Sequence, residues 1–216
     1  MRIRWYGQSA FLLSGDKRVF IDPFGELGEA AHARGIEFSY PPIDAEADVL
    51  LVTHEHADHN EVESIRGEPV VFRSAGRFES PIGEIVGIAS EHDDAAGTVR
   101  GANTIFRFSL DGLRVCHLGD FGQPALRPEQ REAIGEVDVL FVPAGGGPTI
   151  GGEPAAAVVR AIGPRIVVPM HYRTSRVNFL DPPEAFLAAL GMPVTEAPSS
   201  EIDVDGLEGV VLLAAP

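Results

Sequence analysis

The 216-residue chain has a single cysteine, Cys116, so no disulfide can form within it. It has no apolar run near the ~18 residues of a membrane-spanning helix, and its opening stretch MRIRWYGQ lacks the apolar core of a secretion signal. A cytoplasmic protein that enters no membrane is the expectation. Positive charge is also short: 17 Lys and Arg stand against 32 Asp and Glu, a formal net charge of −15. A face that grips nucleic acid or an anionic membrane needs an excess of basic groups, so both partner classes are disfavoured. A small anionic substrate stays open, because bound divalent cations invert the local field.

What is present supports a packed core, with 44% hydrophobic and 23% charged residues. The 24 glycines and 17 prolines predict many turns and few long helices. Short strands are expected at RIRWYG and through AFLLSGDKRVFIDPFG with a turn at SGDK, and a loop or short helix over residues 25 to 43. ADVLLV has the continuous apolar character of a buried strand. Further strands are expected at EPVVF, GEIVGIAS, NTIFRFSLDGLRVCHLGD (a hairpin turning at LDG), VDVLFVPAG, RIVVPMHY, EIDVD and GVVLLAA. Helices are expected at RPEQREAIG, GEPAAAVVRAIG and DPPEAFLAALG, each with proline or acidic residues near its start and glycine near its end. VDVLFVPAGG echoes ADVLLVTHEH, which predicts two related α/β halves within one domain spanning residues 1 to 216.

Histidine is scarce too, at seven residues, yet three of them fall in the segment THEHADHN, residues 53 to 60. Written H-x-H-x-D-H, the cluster is His54, His56, Asp58 and His59. Imidazole and carboxylate are the usual ligands of zinc and other first-row divalent metals. On an extended segment side chains two apart share a face, so His54 and His56 are expected to hold one ion together. Asp58 and His59, where the strand is expected to turn into a helix, reach a second ion. His92 in SEHDD, Asp120 in HLGDFG and His171 in VPMHYRT each lie at an expected strand end and complete the set. The expected allocation is His54, His56 and His92 on one ion, and Asp58, His59 and His171 on the other, with Asp120 bridging through its two oxygens. His117 is expected beside the ligands or in the core, His32 on the surface, and Cys116 as a small buried hydrophobe. Arg100, Asn103 and Arg173 neighbour the ligands in sequence and are expected substrate contacts, since arginine suits bidentate binding of carboxylate or phosphate.

The ordered set THEHADH, SEH, LGD and MHY resembles the metallo-β-lactamase superfamily, and IDP at Asp22 is similar to that family's early aspartate. The resemblance spans nearly the whole chain. It implies an α/β fold, a four-layer αββα sandwich of two similar halves, with metal at one edge between the central sheets. GTVRGANTIFRF, HLGDFG and VPMHYRT are most similar to the compact L-ascorbate-6-phosphate lactonase-like group, which implies zinc or manganese, here two ions per chain. The implied activity is hydrolysis of a small ester, lactone or phosphate ester. Asp58 would orient the attacking water and take its proton, Asp120 would hold the ions in place, and Asp22 would fix a histidine ring through its outer nitrogen. Two alternatives share the cluster: an iron-dependent oxidoreductase of the persulfide dioxygenase type, and a metal-binding protein without catalysis.

Overall fold

The computed structural model describes residues 1–26, 33 and 35–216. His32 and part of the loop expected over residues 25 to 43 lie outside the described residues. Strands β1 (Arg2–Gly7), β2 (Ala10–Ser14) and β3 (Arg18–Ile21) form an antiparallel meander. After the two-residue β4 (Ala45–Glu46), β5 (Val49–Leu51) joins β3 in parallel. A 3₁₀ turn at Val62–Ser64 leads to β6 (Ile65–Arg66), which pairs with β4, and β7 (Val70–Phe72) adds in parallel to β5. The second half runs through β8 (Gly76–Ser80), β9 (Gly83–Glu91), β10 (Ala102–Leu110) and β11 (Leu113–His117), then α1 (Pro128–Ile134), β12 (Val139–Pro143), α2 (Gly152–Ile162) and β13 (Ile166–Met170). Helix α3 (Glu184–Leu190) and strands β14 (Val194–Glu196), β15 (Glu201–Asp203) and β16 (Gly209–Leu212) follow.

These strands make a six-stranded sheet ordered β15-β1-β2-β3-β5-β7 and an eight-stranded sheet ordered β14-β16-β13-β12-β11-β10-β9-β8. Residues that alternate along each strand decide the packing. Val19, Ile21, Val49 and Leu51 join the main core with Phe106, Phe141 and Val168 of the other sheet, and the Phe11 and Phe141 rings meet at 4.6 Å. The intervening Phe20 and Leu50 face a second cluster with Tyr6, Phe24, Tyr40 and Ile65. Burying an aromatic or aliphatic side chain of this size stabilises the fold by roughly 1.5–3 kcal/mol. Strands β12 and β13 are buried along their whole length, as expected of parallel strands covered on both faces. Helix α1 packs on β9, and α2 packs on β12 and α3. The result is the α/β sandwich that the resemblance implied. No described helix is long and apolar enough to cross a membrane.

The sequence echo has a structural counterpart. In the first half Arg18 N–H donates to Asp48 Oδ2 at 2.8 Å and Asp48 N–H returns to Arg18 O at 2.9 Å. In the second half Arg114 N–H donates to Asp138 Oδ2 and Asp138 N–H returns to Arg114 O, both at 2.8 Å. Each aspartate thus ties the start of its strand to the start of the parallel neighbour. Val70 N–H then meets Asp48 O as Ile166 N–H meets Asp138 O. Strands β4, β6, β8 and β14 were not legible in the sequence: β4 and β6 are two residues long, and the alternation in GRFES and VTE is too short to stand out.

Candidate metal centre

Strand β5 stops at Leu51, and the histidine segment that follows is neither the extended strand nor the start of the helix expected there. Residues 53 to 59 form bends and a turn, closed by His59 N–H donating to His56 O at 2.9 Å. The turn, not strand alternation, brings the rings together. His54 lies 4.6 Å from His56 and 4.1 Å from His59, centroid to centroid. His92 comes from the end of β9, Asp120 from the loop after β11 and His171 from the residue after β13.

Donor atoms converge in three groups, each within 4.8 Å: His54, His56 and His92; Asp58, His59 and His171; and His54, His59 and Asp120. The first two coincide with the allocation drawn from sequence. Asp120 joins them through one oxygen. Its Oδ2 lies 3.2 Å from His92 Nε2, 3.2 Å from His171 Nε2 and 3.4 Å from His59 Nε2. Its Oδ1 instead accepts the Ser9 hydroxyl at 3.2 Å, which corrects the expectation that both oxygens face the ions. His54, His59, His92, Asp120 and His171 are buried, whereas His56 is exposed and Asp58 partly so, leaving the site open on that side.

The ring nitrogens facing away are mostly held. His59 Nδ1–H donates to Asp22 Oδ2 at 3.0 Å. His54 Nδ1–H donates to Thr53 Oγ1 at 3.0 Å, and that hydroxyl donates to Asp22 Oδ2 at 2.7 Å. Thr53 N–H closes on Asp22 Oδ1 at 2.8 Å. Asp22 therefore orients one histidine from each group. His92 Nδ1–H donates to Pro148 O at 3.1 Å. These bonds set the tautomer that leaves Nε2 with a bare lone pair inside. The Nε2 atoms of His54 and His59 are buried without a hydrogen-bond partner among the described residues. Converging imidazoles left this way are satisfied by a cation, so the donor set fits divalent metal.

Charge follows the same logic. Burial, then the neighbouring histidines, push His54 far below the usual imidazole range, and burial also lowers His56 and His171. Burial opposes a charge on His59, but Asp120, Asp58 and Asp22 outweigh it and raise its proton affinity. Burial would raise the Asp120 carboxyl, yet His171 and His59 hold it well below the usual carboxylate range. The nest thus combines a fixed anion at Asp120 with His54, His56 and His171 held neutral and a His59 whose surrounding carboxylates favour positive charge.

His117 is not among the converging donors. It accepts Gly119 N–H at Nδ1 and donates from Nε2 to Ser9 O, and burial pushes its pKa down to about 4. It is a neutral strut beneath Ser9 and so beneath Asp120. Asn103 departs from expectation. It is buried, its Nδ2 donates to Ser90 Oγ and Leu118 O, and its Oδ1 accepts Asp120 N–H at 3.0 Å. With every polar atom engaged, it seats Asp120 and has none left for a substrate. Arg173 is tied to its own loop, with Nε donating to Leu180 O and N–H to Asp181 O. Arg100 is exposed at the rim of a groove of about 340 Å³ shared with Asp93, Pro148 and Thr149, next to His92. Cys116 is buried and its thiol is pushed up to about 12 by burial, so it is a packing residue as expected. Thr53 and Ser9 went unnoticed in the sequence, since one hydroxyl beside a cluster carries no pattern of its own.

A family model described as a beta-lactamase superfamily domain matches residues 2–171. A UPF0173 metal-dependent hydrolase of Thermococcus kodakarensis is 32% identical over 212 residues, covering 85% of this chain and 90% of the relative. The chain belongs to the beta-lactamase superfamily, in the UPF0173 family of metal-dependent hydrolases. A second UPF0173 relative, from Methanosarcina mazei, is 31% identical over 214 residues, with 85% of this chain and 88% of the relative covered. Among solved structures, a metallo-beta-lactamase superfamily protein of Thermotoga maritima has a TM-score of 0.79 at 29% identity, covering 100% of this chain and 99% of its own. The metallo hydrolase Igni18 of Ignicoccus hospitalis shares the fold of this UPF0173 chain, with a TM-score of 0.59 at 20% identity over 88% of this chain and 90% of the other.

Proposed function

We propose that this UPF0173 protein is a dinuclear metallohydrolase of the lactonase or phosphoesterase type, acting on a small ester, lactone or phosphate ester. The observation that supports it most is the position of Asp120 Oδ2, 3.2–3.4 Å from one imidazole nitrogen of the first group and two of the second. His54, His56 and His92 would hold one ion, Asp58, His59 and His171 the other, and Asp120 both. Zinc or manganese suits these hard and borderline donors. When bound, such a pair supplies water ionised near neutral pH and positive charge where an oxyanion develops.

The protein's own groups do the rest. Asp58, on the open side, would orient the attacking water and hold its proton on a carboxylate oxygen. Asp22 and Thr53 orient the His59 and His54 rings so that each presents Nε2 to the nest. Ser9 and Asn103 hold the Asp120 carboxylate in one orientation. Arg100, at the groove beside His92, would attract an anionic substrate group. A cytoplasmic location, a single domain and the absence of nucleic acid or membrane partners belong to the same reading.

Metal content of protein purified without chelators, followed by a hydrolysis panel of lactones, phosphodiesters and thioesters, tests it. Two zinc or manganese per chain and turnover above that of free metal are expected, with both lost in Asp120→Ala. One iron per chain would turn the reading toward the oxidoreductase, and metal without turnover toward a binding protein.

A further inference from the structure

The outer nitrogens of three of the four buried nest histidines have partners, but that of the fourth does not. His171 Nδ1 is buried without a hydrogen-bond partner among the described residues. Outside the nest, the buried side chain without a partner among the described residues is Gln8, whose carboxamide oxygen and nitrogen are both bare while the residue is fully buried. The two residues touch through the backbone, where His171 N–H donates to Gln8 O at 3.3 Å. Trp5 Nε1–H donates to the same oxygen at 2.9 Å. Both Gln8 and His171 have φ of 49°, a left-handed backbone that side chains other than glycine adopt only when their surroundings enforce it.

The turn itself does not need the amide. Its restraints run through the Gln8 backbone oxygen, so an apolar side chain of equal length would leave them unchanged. A buried carboxamide without a partner is costly, and native interiors hold such groups only where something satisfies them. We infer that Gln8 is a positioning residue for His171: its carboxamide oxygen takes the His171 Nδ1–H across one water, and so directs Nε2 into the nest. Gln8 then does for His171 what Asp22, Thr53 and Pro148 do for His59, His54 and His92. The inference rests on the proposed metal site, and it adds the orienting contact that the last of its buried histidines lacks.

The test uses the zinc-loaded protein. The imidazole N–H resonances of the nest histidines are recorded by ¹H–¹⁵N spectroscopy, and affinity for each zinc equivalent is measured by chelator competition. Gln8→Met keeps length and removes both polar atoms, and Gln8→Glu keeps the acceptor and adds charge. In Gln8→Met the His171 Nδ1–H signal alone should move, and one zinc equivalent should bind about 10- to 100-fold more weakly. In Gln8→Glu the signal should shift downfield as the acceptor strengthens, with affinity retained. A folded Gln8→Met with unchanged His171 signal and affinity overturns the inference; should that variant not fold, an unmoved His171 signal in Gln8→Glu does the same. Wild-type protein that takes up no metal removes the metal reading as well, so the two failures are told apart.

Discussion

Asp22 grips Thr53 twice, accepting its backbone N–H at 2.8 Å on Oδ1 and its hydroxyl at 2.7 Å on Oδ2, and Oδ2 also takes the His59 Nδ1–H at 3.0 Å. One buried carboxylate therefore orients His59 directly and His54 through a hydroxyl. Partners of this kind are worth about 10- to 100-fold in metal affinity. Thr53→Val should weaken one ion by about tenfold, since only the relay to His54 is cut. Asp22→Ala should weaken both ions and reach the upper end of that range. Chelator competition on the two variants decides; wild-type affinity for both ions in Thr53→Val would mean that the hydroxyl relay carries nothing.

Ser9 acts one step away, holding Asp120 Oδ1 at 3.2 Å while His117 Nε2 supports the Ser9 carbonyl at 3.1 Å. Removal of the hydroxyl in Ser9→Ala frees the carboxylate to rotate, without touching any ligand. The cost in stability should be about 1 kcal/mol, the ordinary scale of one buried hydrogen bond. Turnover should fall more than that bond alone would imply, because in the proposed site Asp120 would hold both ions. Denaturant melts and steady-state rates on the same preparation separate the two effects, and a rate equal to wild type would mean that Asn103 alone seats Asp120.

Two glycines let loops pass close to the ligands. A Cβ on Gly122 would lie 2.4–2.5 Å from the backbone of His92 and Asp93, and one on Gly145 would lie 2.3 Å from His171 O and 2.6 Å from Tyr172 Cα. Neither clash is with a flexible side-chain end, so the ligand-bearing backbone must shift. Gly122→Ala should weaken the ion held by His92 and Gly145→Ala the ion held by His171, each with a lower melting temperature. Metal-edge spectroscopy or stoichiometry at limiting zinc would show the site selectivity, and a loss shared equally by both ions in each variant would contradict it.

The convergence of these donors was legible because imidazoles crowded into THEHADH have no packing role, and because single residues at strand ends have few other reasons to sit there. The strand pattern was legible for the same physical reason: long apolar runs such as VDVLF and NTIFRF leave little choice. What escaped was local. The turn at residues 53 to 59 depends on Asp22, thirty-one positions upstream of Thr53, holding that residue's N–H, and no periodicity encodes such a contact. Asn103 looked like a substrate residue because it neighbours ligands in sequence; only the fold shows its amide committed to Ser90, Leu118 and Asp120. The orientation of the Asp120 carboxylate likewise depends on Ser9, which precedes it by 111 residues.

The paired clamps at Arg18–Asp48 and Arg114–Asp138 give the fold a measurable acid dependence. Hydrogen bonds from Arg114 pull the Asp138 pKa down to about 2, and the Arg18 backbone N–H lowers Asp48 in the same direction. A carboxyl whose folded pKa is depressed contributes stability that is complete above its unfolded value near 4. That contribution is lost as pH falls through the folded value, for Asp138 between about 4 and 2. Asp138→Asn keeps an acceptor for the backbone but removes the charge, and should cost about 1 kcal/mol at pH 7, or roughly 2–4 °C in melting temperature. Asp48→Asn should cost less, because Asp48 is the more exposed of the two, at 29% against 18%. Melts of metal-free protein from pH 7 to pH 3 should show the gap between wild type and Asp138→Asn narrowing below pH 4. A gap that stays constant across that range would mean that the strands are joined by their backbone bonds alone and that the charge of Asp138 contributes nothing.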